Sequence, residues 1–183
     1  MLKIPTDIKA GDIIGFSGRA LQSSLINIGT FGIPLWGLSH VGIMGFKHEC
    51  PGIRLFESVE GCGARDSDLG SVLANYNGRA WLYRLYRPLY LHEITRLTLH
   101  LASMSDRPYD KSGALRSAGI LFSAIESMIR GQNLVSLFCS EFVASQLSFI
   151  GVFHTTNASR WNPNHLMRRL RKLEIVQRPE RMK

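Results

Sequence analysis

Long apolar runs are missing from this chain. No segment approaches the roughly 18 uninterrupted apolar residues of a membrane span. The opening "MLKIPTDIKAGDIIGF", with Pro5 and Asp7, lacks the continuous apolar core of a signal peptide. Synthesis as an unexported, cytoplasmic protein is therefore the default expectation. Cysteine is scarce: Cys50, Cys62 and Cys139 are odd in number and irregularly spaced. That argues against a disulfide framework and fits a reducing compartment. Metal-ligand spacing is missing too. His48, Cys50 and Cys62 have no paired C-x2-C pattern and no convincing fourth ligand. "HEITRLTLH" holds His92, Glu93 and His100 without the H-E-x-x-H spacing that puts two imidazoles on one helix face. "GDIIGFSGRA" is punctuated by glycine but has neither the lysine nor the spacing of a phosphate loop. No metal or organic cofactor is expected. Repeats and low-complexity linkers are also lacking, so residues 1–183 read as a single domain.

What is present is an ordinary globular composition, 45% hydrophobic and 20% charged, with a net charge of +8. Much of the excess lies in a basic C-terminal extension from about residue 163, where Arg168, Arg169, Arg171 and Lys172 cluster. Such a cluster is usually a solvated helix face. A specific anionic partner is the alternative, though no aromatic interleaving or nucleic-acid motif accompanies the charge.

Strand patterns come early. "GDIIGFSG" reads as a short strand, and "SHVGIMGF" and "IRLFESV" as a hairpin about the turn-rich "KHECPG". "SDLGSVLANY" predicts a short helix capped at Ser67, followed by a strand in "RAWLYRLYR". Helical patterns dominate from there: Leu89–Met104, Ala114–Ile129, and Ser136–Ile150 closed by Gly151. An earlier helix is predicted in "ALQSSLINIGTF". Asn162 and Pro163 signal the start of a last helix, and "KLEIV" suggests an edge strand. Strands early and helices late make the class α+β, with helices packed on an antiparallel sheet.

Three residues stand out chemically. His40 sits at the entrance of a predicted strand. Glu57 is an acid inside an otherwise apolar one. The two lie symmetrically about the turn centred on His48 and Glu49, so a hairpin brings them together. A strand-interior carboxylate asks for a donor such as imidazole, because an unpartnered buried charge is costly. The competing reading leaves Glu57 on a solvated strand face. Glu60 competes for the same role, but strand alternation puts it on the opposite face. Cys139, in "LFCSEFVASQL", falls in the first turn of the predicted helix, where the macrodipole and backbone N–H groups favour a thiolate. Taken alone, it is equally readable as a packed core thiol. With His40 as proton carrier and Glu57 orienting the ring, the set has the logic of nucleophilic acyl transfer. N–H groups beside Cys139 would then help hold the oxyanion. Glu141 reads as a structural acid near the helix start.

The pieces "GDIIGFSG", "SHVGIMGF", "LFESV", "RPYD" and "LFCSEFVASQL" occur in an order that resembles circularly permuted papain-like enzymes of the NlpC type. The YiiX/YebB-like branch is the nearest resemblance, and the lecithin–retinol acyltransferase group a more distant one. The likeness runs from about Ile8 to Gly151. It implies a papain-like fold with Cys139 as nucleophile, His40 as base and Glu57 as orienting residue. It also implies Tyr109, in "RPYD", as a hydroxyl near the oxyanion or substrate. "SVEGCGAR" departs from the resemblance, being longer and more polar than the expected continuation after Glu57.

The resulting expectation is a thiol peptidase or amidase acting through a covalent thioester. Its substrates would be peptides, such as cell-wall peptides, or lipid amides. Lipid acyl hydrolysis or transfer uses the same chemistry. The rival reading is a catalytically weak or inactive papain-like protein used for binding or assembly. A cell-wall role conflicts with the expected lack of an export route unless the protein is phage-encoded and virion-associated.

Overall fold

The structure, a computed structural model, describes residues 3–18, 37–47, 50–59, 63–104, 133–155, 158 and 161–183. Its strands are β1 (Ile13–Gly18), β2 (His40–Lys47), β3 (Cys50–Val59), β4 (Gly63–Ser67), β5 (Gly78–Tyr83) and β6 (Glu180–Arg181). The helices are α1 (Leu69–Asn75), α2 (Leu91–Met104), α3 (Asn133–Phe149) and α4 (Pro163–Lys172). The strands form one antiparallel sheet in the order β4-β3-β2-β1-β5-β6. The predicted α+β class holds. The helices expected in "ALQSSLINIGTF" and over Ala114–Ile129 lie outside the described residues.

The central strands are apolar on both faces because both are covered. Ile13, Val41, Ile43 and Phe56 belong to one buried cluster with Leu97 and Leu101 of α2, Val143 and Leu147 of α3, and Leu166 and Leu170 of α4. Ile14, Phe16, Met44 and Leu55 belong to a second, with Leu69 and Leu73 of α1 and Met182 near the C-terminus. A strand buried on both faces loses the polar alternation of a half-exposed one, hence the run "HVGIMGF".

The "GDII" segment explains itself. Asp12 is buried. Its two carboxylate oxygens accept from the backbone N–H of Lys9 (2.9 Å) and of Leu85 (3.0 Å), which ties the entry of β1 to the exit of β5. Burial pushes its carboxyl above the usual range, against the two N–H groups. Gly11 beside it has φ +90°, and a Cβ there would lie 2.6 Å from a Leu85 methyl, so glycine is required twice over.

Two local expectations are corrected. Asp68, not Ser67, caps α1, since its carboxylate accepts from the Ser71 N–H at 2.7 Å while Ser67 is still paired in β4. "KLEIV" contributes only an isolated bridge, Val176 to Leu85, and the edge strand is β6 further on. Asn162 caps α4 as predicted, accepting from the His165 N–H at 2.8 Å, with Pro163 in the first turn.

Candidate active site at the start of β2

His40 is the first residue of β2, and Glu57 lies on β3. The hairpin does not pair them directly. Lys47 stands opposite Cys50 near the turn, but Phe46 stands opposite Ile53, so two extra residues, Pro51 and Gly52, sit on β3. From there the register continues Ile43 to Phe56, which brings Gly42 rather than His40 opposite Glu57. The slip is even, so it preserves which face each side chain takes. Glu57 therefore meets His40 diagonally on the same face. Gly42 keeps the gap between them narrow: a Cβ there would fall 2.9 Å from the Phe56 carbonyl oxygen and 3.4 Å from the Glu57 Cβ.

The contact itself is short. His40 Nε2 lies 2.8 Å from Glu57 Oε2. The other carboxylate oxygen, Oε1, accepts from Arg65 Nη2 (2.8 Å) and Nε (3.1 Å), and Arg65 stands directly opposite Glu57 on β4. Glu57 is thus buried, with its side chain 4% exposed, and both oxygens are engaged by donors. Burial opposes its ionisation. The hydrogen bond and charge of His40, followed by those of Arg65, outweigh burial and hold the carboxyl below its usual range.

With Nε2 given to Glu57, Nδ1 is the ring nitrogen left for Cys139, whose sulfur hydrogen-bonds the imidazole. Burial favours the neutral ring. The negative charge and hydrogen bond of Cys139, then the hydrogen bond and charge of Glu57, more than reverse that effect and push His40 up to about 10. The ring is also packed against Phe16, centroid to centroid 5.7 Å. The His40 side chain is 19% exposed whereas Cys139 is fully buried, so the imidazole is the part of the pair that meets solvent.

The placement of Cys139 differs from expectation. Helix α3 begins three residues before the predicted start, at Asn133, so Cys139 is its seventh residue and not part of the first turn. "NLVSLF" carries no proline or glycine to stop the helix from extending upstream. Inside a helix the backbone N–H groups serve i−4 carbonyls, and the macrodipole acts mainly within the terminal turn. The expected help from a helix N-terminus to the thiolate and the oxyanion is therefore lost. Its place beside the sulfur is taken by His40. Glu141 is half-buried on α3, and burial raises its carboxyl. Tyr109, Glu60, Cys62 and His48 lie outside the described residues.

Two supporting residues were not anticipated. One is Arg65, although "VEGCGA" between it and Glu57 is a hairpin signal that would have set the two opposite each other. The other is Asn164 of α4, which is buried and grips the backbone two residues before His40. Its Oδ1 accepts from Leu38 N–H (2.7 Å) and its Nδ2 donates to the Leu38 carbonyl (3.0 Å), so the amide acts as a substitute strand partner. Ser39 is held from the other side, its N–H donating to the Phe16 carbonyl at 2.9 Å. No local sequence pattern announces a contact 126 residues apart.

In fold, the chain is similar to the metalloprotein yiiX from Escherichia coli O157:H7, with a TM-score of 0.54 over 79% of this chain and 67% of that one, at 20% identity. The fold class is therefore a yiiX-like α+β architecture. No protein-family model matches the chain, and no curated protein matches it. The side chains at His40 do not fit a metal centre. Glu57 has both oxygens committed to His40 and Arg65, and no cluster of three ligating side chains occurs among the described residues.

Proposed function

We propose that this protein is a thiol hydrolase of the permuted papain-like, NlpC-type kind, with Cys139 as nucleophile, His40 as acid and base, and Glu57 as the group that orients the ring. The observation that carries the reading is one imidazole hydrogen-bonded to both a carboxylate and a thiol. A glutamate that merely satisfied Arg65 would not need the histidine, and a core thiol would not need a polar neighbour.

The chemistry follows from the arrangement. The Cys139 sulfur attacks the carbonyl carbon of an amide, and the carbonyl electrons pass to oxygen. His40 donates its proton to the departing amine as the C–N bond breaks, leaving a thioester. His40, now neutral, takes a proton from water as that water attacks the thioester. The carboxylic acid leaves and the thiol–imidazole pair is restored. Glu57 stays ionised throughout and stabilises the imidazolium, with Arg65 holding the carboxylate in place. Amide bonds in peptides, including cell-wall peptides, or in lipid amides are the proposed substrates. Lipid acyl hydrolysis or acyl transfer is the same chemistry with another bond or acceptor.

The full burial of Cys139 favours the second reading, a binding or assembly protein that keeps the fold and not the turnover. Iodoacetamide labelling at each cysteine against pH, followed by mass spectrometry, separates the two. A hydrolase labels at Cys139 far faster than at Cys50 well below pH 8, and His40→Ala abolishes the preference. A scaffold labels Cys139 no faster than Cys50, with or without His40.

A further inference from the structure

The end of the sheet away from His40 leaves large apolar side chains in water. Tyr86, Tyr90 and Leu91, in the turn from β5 into α2, are 58, 59 and 80% exposed. The turn that presents them is firmly held. Leu89 is buried in the core, packed against Gly11. Arg87 is clamped by both oxygens of Glu93, which also takes the Tyr90 N–H. The Arg87 guanidinium lies 4.5 Å from the centre of the Tyr90 ring, and His92 stacks on that ring at 5.8 Å. The Tyr86 N–H donates to the Ile175 carbonyl at 2.9 Å, which brings the C-terminal end of α4 alongside. Tyr86, Val152 and Ile175 line one depression there. Exposure at this end is therefore not looseness: the anchors are buried and bonded while three large side chains project. A fixed display of apolar groups marks a contact surface.

We propose that this end of the molecule docks on an anionic lipid surface, with Leu91 entering the acyl boundary and Tyr86 and Tyr90 lying at headgroup level. Composition decides the occupant. Tyrosine and leucine beside arginine are the mixture that the boundary between hydrocarbon and headgroup favours. The last turn of α4 adds Arg169, Arg171 and Lys172, all exposed, followed by the exposed Leu173. Glu174 is the acid beside them, and on the other side of Tyr86 both Asp7 and Glu180 are bound by Arg84. In a chain of net charge +8, cations held next to an apolar contact gain from an anionic leaflet. No described helix is long and apolar enough to cross a bilayer, so the contact is with its surface. Position separates docking from chemistry. Ala80 stands level with Phe16 and His40 in the sheet, and Tyr86 is six residues further on, up to about 20 Å away along the strand direction. The proposal therefore does not rest on the hydrolase reading.

The test sediments the full chain, at fixed ionic strength, with vesicles of phosphatidylcholine alone or mixed equally with phosphatidylglycerol. Wild type should pellet with the mixed vesicles and stay in the supernatant with the neutral ones. Leu91→Ser should weaken binding by about tenfold or more, the scale of one leucine kept out of an apolar phase. Tyr86→Ser is the second variant and should weaken it more mildly. Leu99 provides the control. It is 62% exposed on the same helix, but eight residues, about 12 Å, beyond Leu91, so Leu99→Ser should bind as wild type does. Cys139 labelling should be the same in Leu91→Ser as in wild type. Equal pelleting with both kinds of vesicle would overturn the anionic surface, and equal loss from Leu91→Ser and Leu99→Ser would reduce the contact to general adhesion. No pelleting with either would overturn the proposal, and a dimer dissociated by Leu91→Ser would then assign the face to a second copy of the chain. A Cys139 that fails to label while vesicle binding persists would sink the hydrolase reading alone.

Discussion

Two buried glutamates in this molecule each hold an arginine, and what else they hold separates a structural corner from a chemical one. Glu93, in the first turn of α2, binds Arg87 through both oxygens at 2.6 and 2.7 Å and accepts the Tyr90 N–H at 2.8 Å. Arg87 is the largest cause holding its carboxyl low, and the third partner is a fixed backbone amide. That arrangement caps a helix and does nothing more. Glu57 gives one oxygen to Arg65 and reserves the other for His40, a ring that exchanges protons. The same carboxylate–arginine chemistry is closed at one site and left open to a titrating group at the other. The difference is the identity of the last donor, not the burial, which is alike.

The comparison is broken most sharply at His40 itself. His40→Ala should lower the labelling rate of Cys139 near pH 6 by about 100-fold, the usual scale for loss of one proton-transfer partner, with Cys50 unchanged as internal reference. Any loss shared by both cysteines would mean unfolding instead. Second in size is the paired replacement of the two acids. Glu57→Gln and Glu93→Gln should each cost about 2 kcal/mol in denaturant unfolding, because each removes a buried, charge-assisted acceptor. Only Glu57→Gln should also slow Cys139, and equal slowing by both would erase the distinction drawn between them.

The pH dependence of stability sharpens the contrast further. Both carboxylates are held below the ordinary 4.5, so both contributions are present above that value and lost as the pH falls through the folded pKa. His40 is raised from 6.5 to about 10, so its contribution is complete below pH 6.5 and lost as the pH rises through about 10. His40→Ala should therefore flatten the alkaline limb of the stability profile between pH 6.5 and 10, and Glu93→Gln should leave that limb alone. The smallest effect belongs to Arg65. Its side chain is 45% exposed and screened by solvent, so Arg65→Lys should change labelling only a few-fold while Glu57 remains in place.

Much of this site was legible in the sequence, and the reasons are local. A glutamate in an apolar strand and a histidine on its hairpin partner advertise each other across one turn. Their alternation survives the two extra residues at Pro51 and Gly52, since an even slip leaves faces unchanged. A slip of one would have separated them. Arg65 was equally accessible by the same hairpin logic, and was missed because "SVEGCGAR" reads as a polar loop rather than a returning strand. Asn164 was not accessible, because a side-chain amide that completes a strand edge leaves no periodic trace. The helix start before Cys139 failed for a third reason. Apolar "LVSLF" satisfies strand and helix patterns alike, so the sequence does not mark where the helix begins.

The central claim is that the Cys139 sulfur and the His40 ring are paired, the sulfur raising the imidazole above its ordinary value. It is tested most directly by titrating the His40 imidazole by nuclear magnetic resonance in wild type and in Cys139→Ala. This reading does not depend on a reagent reaching a buried thiol. The account predicts a His40 transition near 10 in wild type that falls markedly once the sulfur is gone. A transition at the same pH in both proteins would show that the thiol does not charge the ring, and would leave Cys139 a packed core residue.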